Sequence, residues 1–330
     1  MTRYPPLPHG RVPGGTRATG PAEGAGGTGP VVLKCIRCIA VGLEETADTW
    51  TCGSCGARFP VVAQIPRFVA EELYAESFGY QWTRFARTQL DSASGTTRSR
   101  DTFVEKTGWS LDDLRGKRIL DAGCGMGRFA EVAADAGAEV HAVDLSAAVE
   151  AAFHNLGHRP NVHLYQADIM SLPFPEGSFD FIFSLGVLMA TPDTEAAFLK
   201  LPPLLKPGGS IAIWVYSKEL ARFWGSEVLR KVTPFLPKPW LLWASRVAIP
   251  LYHVHRTSLV GRVTSVLLPT TMDPDPVWRW LGTFDWYSPR YQWKHTYEEV
   301  EGWFREACLT DLWRVPFPVS VRGRRPASPR

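Results

Sequence analysis

From Ile119 to Phe129 the chain reads ILDAGCGMGRF, an apolar run that ends in Gly123, Gly125 and Gly127 and passes directly into a helical pattern. Few architectures use a buried strand, a turn stripped of side chains and a helix in that order. A Cβ at such a turn would block close backbone approach, so the glycines point to a ligand lying on the main chain. The segments that follow narrow the choice. AEVHAVDLS, NVHLYQAD, FDFIFSLGVL and SIAIWVYS read as short strands. Helical stretches separate them: one running to Ala136, one that Ser146 can cap, and the first half of TEAAFLKLPPLL. Strands alternating with helices predict an α/β fold, a parallel sheet covered on both faces and connected by right-handed crossovers.

In such sheets a nucleotide-like ligand binds beyond the carboxyl ends of the strands. The dinucleotide fingerprint G-x-G-x-x-G is not met, because Arg128 stands where its third small residue belongs. What recurs instead is an acid at three successive strand ends. Asp121 can accept from an ammonium group or a water, Asp144 from two ribose hydroxyls, and Asp168 from an exocyclic amine such as that of adenine.

Asp121-x-Gly123-x-Gly125-x-Gly127, Asp144, Asp168, FDFIFSLGVL and LLKPGG together resemble the class I S-adenosylmethionine-dependent methyltransferases of the type 11 group. The resemblance covers roughly residues 110–216, and HTYEEVEGWFREACL extends it. It implies a Rossmann-like, seven-stranded sheet with S-adenosyl-L-methionine as cofactor. It also implies cofactor contacts at Asp121, Gly123, Cys124, Gly125, Gly127, Asp144, Leu145, Asp168, Ile169, Ser184 and Leu185, and from an N-terminal helix at Tyr80. Leu205 to Gly209 is then the turn into strand five. FDWYSPRYQWKH is similar to a stretch that closes over the active site in some members, which makes His295 and Tyr287 candidates for a general base. One departure stands out: where the group often carries a His pair before TPD, this chain has Met189 and Ala190. A scaffold that binds the cofactor without turnover is the alternative reading.

Cys35-x-x-Cys38 and Cys52-x-x-Cys55 are two knuckles separated by a short loop, a spacing that predicts a closed tetrahedral Zn²⁺ site. Four thiolates leave no position open for chemistry, so the metal is expected to be structural and to fold a unit too small for its own core. Ile39 follows the first knuckle where Gly56 follows the second, which is expected to loosen one turn. The unit resembles the small zinc ribbons that activate RNA and protein methyltransferases, here in the same chain, with bracing, substrate binding and partner holding all open as roles.

The organisation expected is a disordered Gly/Pro-rich leader at 1–30, the zinc ribbon at 31–70, a helical segment or lid at 71–109 and the cofactor-binding core at 110–216. A helical insertion at 217–293, the rest of the methyltransferase core at 294–323 and a disordered tail at 324–330 complete it. The insertion, rich in Trp, Pro and Arg, suits a cap over an apolar acceptor, an interfacial membrane contact or a homodimer surface. The chain's net charge of +3 is concentrated in its ends, at Arg3, Arg11 and Arg17 and at Arg322, Arg324, Arg325 and Arg330, so the body lacks a basic footprint for nucleic acid. A small-molecule acceptor fits best, with RNA or protein left open. Arg3 has no apolar run behind it, and Trp240 to Val254 is interrupted by Arg246 and Pro250. No transmembrane segment is therefore expected, and a cytoplasmic location is.

Overall fold

The computed structural model describes residues 31–69, 75–222, 224–257 and 259–327. The expected leader, residues 70–74 of the ribbon end and helical segment, and residues 328–330 of the tail lie outside it. Eleven strands form one sheet: β1 (Leu43–Glu45), β2 (Thr49–Cys52), β3 (Arg58–Val62), β4 (Ile65–Phe68), β5 (Arg118–Ala122), β6 (Glu139–Asp144), β7 (Val162–Ala167), β8 (Phe179–Leu185), β9 (Leu205–Trp214), β10 (Thr310–Val315) and β11 (Ser320–Arg324). Their spatial order is β1-β2-β3-β4-β7-β6-β5-β8-β9-β11-β10. The seven strands β5 to β11 are the expected Rossmann-like sheet. Strands β7, β6, β5, β8 and β9 pair in parallel, and β11 and β10 close the edge antiparallel.

Period-two alternation decides which side chain meets which layer. Ile119, Phe183 and Ala212 point into a core with Phe103, Leu114 and Ala130, whereas Leu120, Ile182 and Ile211 point the other way, toward Phe198, Trp303 and Phe304. Both faces are covered, which is why β5 is buried at every residue. Helix Tyr297–Glu306 begins with a capping box in which Thr296 and Glu299 satisfy each other's backbone. Ser146 accepts from the Ala148 N–H at 3.1 Å, but the N-cap of helix Ala148–Leu156 is Ala147, without a side-chain cap, rather than the expected Ser146.

The ribbon is continuous with this sheet. Its β4 pairs in parallel with β7 through Arg67↔Gln166 and Phe68↔Ala167, and Leu33, Phe59 and Phe68 join the same apolar cluster as Leu120 and Phe174. Two expectations change. Leu205 to Gly209 is not a separate turn but the start of β9, where the pairing with β8 jumps from Phe179↔Leu205 to Phe181↔Ser210. The tail is ordered further than expected, because Arg324 belongs to β11 and Arg325 donates from its backbone N to the Gly209 carbonyl at 2.9 Å. From Lys218 to Tyr287 the described secondary structure is helical throughout, in short pieces.

Candidate functional site

The strand order reverses between β5 and β8, and the crevice at such a switch point is where an open α/β sheet binds ligands. The glycine turn sits there. The N–H groups of Gly123 and Cys124 both donate to the Val143 carbonyl, at 2.9 and 2.8 Å, which bends the chain back over β6. Gly123 has φ +99°, and a Cβ on it would fall 2.3 Å from Val187 Cγ1. Gly125 has φ +54° and faces the Trp82 indole, whose Nε1 would lie 3.1 Å from an added Cβ. Gly127 caps helix Arg128–Asp135. These positions accept no side chain without displacing a neighbour.

A cavity of ≈ 270 Å³ opens on this turn, close to the lower end of the range for small-molecule sites. Gly123, Cys124, Gly125, Asp144, Leu145 and Ile169 line one side, with Leu185 above them. Asp144 Oδ2 accepts from the Gly125 N–H at 2.8 Å, and Oδ1 accepts from the Ser146 N–H at 2.8 Å and its hydroxyl at 2.6 Å. The carboxylate thus ties the tip of β6 to the glycine turn and faces the cavity. Burial raises its pKa, against those three hydrogen bonds. Asp121 is buried at the base of the turn. Its Oδ2 has no hydrogen-bond partner, and burial together with the nearby Asp144 raises its pKa well above the usual range. Burial likewise raises the Cys124 thiol, so it is an inert wall rather than a nucleophile.

Neither Asp121 nor Gly127 lines the cavity, and the remaining sequence candidates also lie elsewhere. Asp168 does not line the cavity; its Oδ1 accepts from the Met170 N–H at 2.9 Å, and its neighbour Ile169 faces the cavity instead. Ser184 is buried and donates to the Ala122 carbonyl at 2.7 Å, latching β8 to β5. On helix Glu76–Arg84, Phe78, Gln81 and Trp82 share the cavity-facing side, while Tyr80 points away and packs on Phe284 and Arg84. Tyr287 donates to the Pro269 carbonyl at 2.8 Å within the insertion. His295 pairs with the Thr194 hydroxyl at 3.1 Å and packs edge-on against Trp303. Neither of the two proposed bases faces the cavity.

The cavity is also lined by a polar group that the sequence did not disclose: Gln81, Lys106, Tyr216 and Asp285, beside Trp214 and Leu281. Asp285 is pushed up to about 6 by burial, although Gln81, Arg230, Tyr216 and Lys106 favour its charged form. Lys106 Nζ lies 3.2 Å from the Trp214 ring centroid, and burial, with Arg128 nearby, lowers its pKa well below the usual value. Gln81 is 1% exposed and hydrogen-bonds toward the Asp285 carboxylate, one of the influences that favour its charged form. A signal existed for Asp285. It falls four residues after Leu281 on helix Pro276–Tyr287, whereas Tyr287, two residues on, is turned about 200° away.

The four ribbon thiols converge. All four Sγ atoms lie within 4.8 Å of one another, with Cys35···Cys55 at 3.7 Å and Cys38···Cys52 at 3.5 Å. These separations are too long for disulfides and close to the roughly 3.8 Å edge of a tetrahedron with Zn–S bonds of about 2.3 Å. Cys35, Cys38, Cys52 and Cys55 therefore fit a structural zinc. The first knuckle is not looser than the second. Ile39 adopts φ +60° where Gly56 adopts +70°, and each donates back to the first Cys carbonyl of its knuckle at 2.9 Å. Ile39 makes the glycine turn at a steric cost, since a β-branched residue disfavours that region. A second group, Glu139, His141 and His163, also brings its ligand atoms together, but the Arg118 guanidinium sits 3.1 Å from the Glu139 carboxylate and opposes a cation there.

Residues 120–213 match the model of a family described as a methyltransferase domain. Proteins similar to part of the chain include methyltransferases. Among curated proteins, the chain is 36% identical over 107 residues to phosphoethanolamine N-methyltransferase 2 of Caenorhabditis elegans, covering 31% of this chain and 24% of the relative. It is 33% identical over 129 residues to the ubiquinone biosynthesis O-methyltransferase of Xanthomonas oryzae pv. oryzae, covering 37% of this chain and 54% of the relative. Among solved structures, an S-adenosylmethionine-dependent methyltransferase from Mesorhizobium loti is 33% identical over 30% of this chain and 46% of that one, with a TM-score of 0.28. The chain thus spans about half or less of the length of these relatives.

Proposed function

We propose that the chain is an S-adenosylmethionine-dependent methyltransferase whose acceptor is a small molecule. The observation that carries this reading is the wall of Gly123, Gly125 and Asp144, a side-chain-free turn tied to a carboxylate and facing one cavity. Gly123, Cys124 and Gly125 would lie under the amino-acid part of the cofactor, Asp144 would take the ribose hydroxyls, and Leu145 and Ile169 would flank the adenine. When bound, S-adenosylmethionine supplies a methyl group on a sulfonium, already activated for transfer.

The chain's own part is alignment and proton handling. Asp285 is the group suited to accept a proton from an acceptor hydroxyl, and a value of about 6 leaves it mostly ionised at neutral pH while still able to hold that proton. Gln81 and Tyr216 would orient the acceptor, and Trp214 and Leu281 give it an apolar wall. The acceptor's identity is not fixed by the matched domain, since the relatives named above are an N- and an O-methyltransferase.

The scaffold reading draws on Met189, which is buried, and Ala190, which offers the cavity only a methyl group. Methyl-labelled cofactor incubated with the protein and a small-molecule extract separates the two. A labelled product that requires the intact chain supports the enzyme; cofactor binding without product supports the scaffold; no cofactor binding overturns both.

A further inference from the structure

Residues 228–272 contain Arg230, Lys231, Lys238, Arg246, Arg256 and Arg262 and no Asp or Glu. The same stretch turns apolar side chains outward. Trp240, Trp243 and Val247 recur at helical spacing along Lys238–Ala244 and the turn Ser245–Val247; Trp240 is 72% and Trp243 68% exposed, while Leu241, Leu242, Ser245 and Ala248 are buried. Leu259, Val260, Val263 and Leu267 make a second exposed stripe on helix Leu259–Leu267. Trp224 and Val228 make a third on helix Trp224–Leu229. Helix Leu259–Leu267 lies against the other two stretches: a Cβ on Gly225 would fall 2.1 Å from the Leu267 carbonyl oxygen, and one on Gly261 would fall 2.4 Å from that of His255, at the end of helix Ala248–His255, which continues from the Trp240 and Trp243 stripe. A surface helix ordinarily buries its apolar stripe. Connected helices that expose theirs are of the kind that marks an interaction site.

We infer that this face docks on an anionic phospholipid bilayer, its helices lying in the headgroup plane. Exposed Trp and aliphatic side chains on short helices, with Lys and Arg the sole charges from residue 228 to 272 and Glu227 paired with Lys294, match the composition of interfacial helices. The exposed cations Lys231, Arg246, Arg256 and Arg262 complement anionic headgroups. No helix among the described residues is long and apolar enough to cross a membrane, so the segment would lie on the bilayer rather than span it. A second copy of the chain is a poor occupant, because a two-fold contact would oppose two segments that carry cations and no acids. Nucleic acid shares the charge but gains nothing from Leu259, Val263 and Leu267.

Vesicle flotation of the full chain tests this independently of any methyl transfer. On vesicles of phosphatidylcholine with about 30% phosphatidylglycerol the protein should float, at least about tenfold more strongly than on phosphatidylcholine alone. Added salt should weaken the binding. Trp240→Ala with Trp243→Ala should cut partitioning about tenfold or more, and Arg246→Glu with Arg262→Glu should abolish the preference for anionic vesicles. Unchanged circular dichroism melting would establish that both variants fold. Failure to float on anionic vesicles overturns the inference, as does binding that both variants retain. So does a dimer in light scattering, or retention of RNA, that depends on these residues while no vesicle binding occurs.

Discussion

The two halves of the cavity are built in different ways. The half suited to the cofactor comes from the segments that follow four adjoining strands: Gly123 to Gly125 after β5, Asp144 and Leu145 at the tip of β6, Ile169 after β7, and Leu185 and Gly186 at the tip of β8. Parallel register fixes all of them at once. The other half gathers Gln81, Lys106 and Asp285 from three helices that share no register, beside Trp214, which β9 pairs with Leu185, and Tyr216 just after it. The first half can therefore stay constant while the second is rebuilt around a new acceptor. That is in keeping with relatives whose likeness is confined to about a third of the chain.

The sharpest way to break this division is Asp285→Asn. It should lower the rate of methyl transfer by roughly 10²- to 10⁴-fold and leave cofactor affinity unchanged, as read by initial rates and calorimetry; a parallel loss of cofactor binding would mean the halves are not separable. The wild-type rate should rise through about pH 6, and the variant should lack that step. Stability should move the opposite way with pH. Because the folded protein holds Asp285 above its ordinary value of 3.8, the stability present at lower pH is lost as pH rises from there through about 6, so Asp285→Asn should melt higher than wild type at pH 7.5 and the gap should close in acid.

Asp144→Ala acts on the other half. Losing a charge-assisted acceptor should weaken cofactor binding about 10- to 100-fold, and equal affinities in calorimetry would remove Asp144 from the site. Zinc comes next. Elemental analysis should find one Zn²⁺ per chain, and chelation should lower the melting temperature by fraying β1 to β4 from β7, with a smaller loss of cofactor affinity through Ile169. If stripping the metal leaves melting unchanged, the ribbon does not brace the sheet. Smallest should be His295→Phe and Tyr287→Phe, each within about threefold of wild-type transfer, since both side chains are engaged away from the cavity.

The sheet and its cavity-facing turn were legible because both follow from short-range pattern. Ile119 to Ala122 is apolar, the glycines sit where a Cβ would strike Val187 or Trp82, and Asp144 ends a strand one crossover later. The cysteine quartet was legible for the same reason, its ligands being fixed by spacing. Asp168 and Ser184 carry the expected types at the expected strand ends, but local hydrogen bonding turns them to Met170 and Ala122. Gln81, Lys106 and Asp285 were invisible as a group because no local rule brings a helix near residue 80 to one near residue 285. Helical phase could still have preferred Gln81 to Tyr80 and Asp285 to Tyr287, because in each case the cavity-facing residue shares a helix side with its apolar neighbours.

The central claim is that the glycine turn and Asp144 hold an adenosyl amino acid. A crystal structure of the chain with S-adenosylhomocysteine tests it most directly. It should show the ligand over Gly123 to Gly125, its ribose hydroxyls on the Asp144 carboxylate and its sulfur turned toward Trp214 and Asp285. Density for the ligand in another part of the molecule, or an Asp144 still bound only to Gly125 and Ser146, would contradict it.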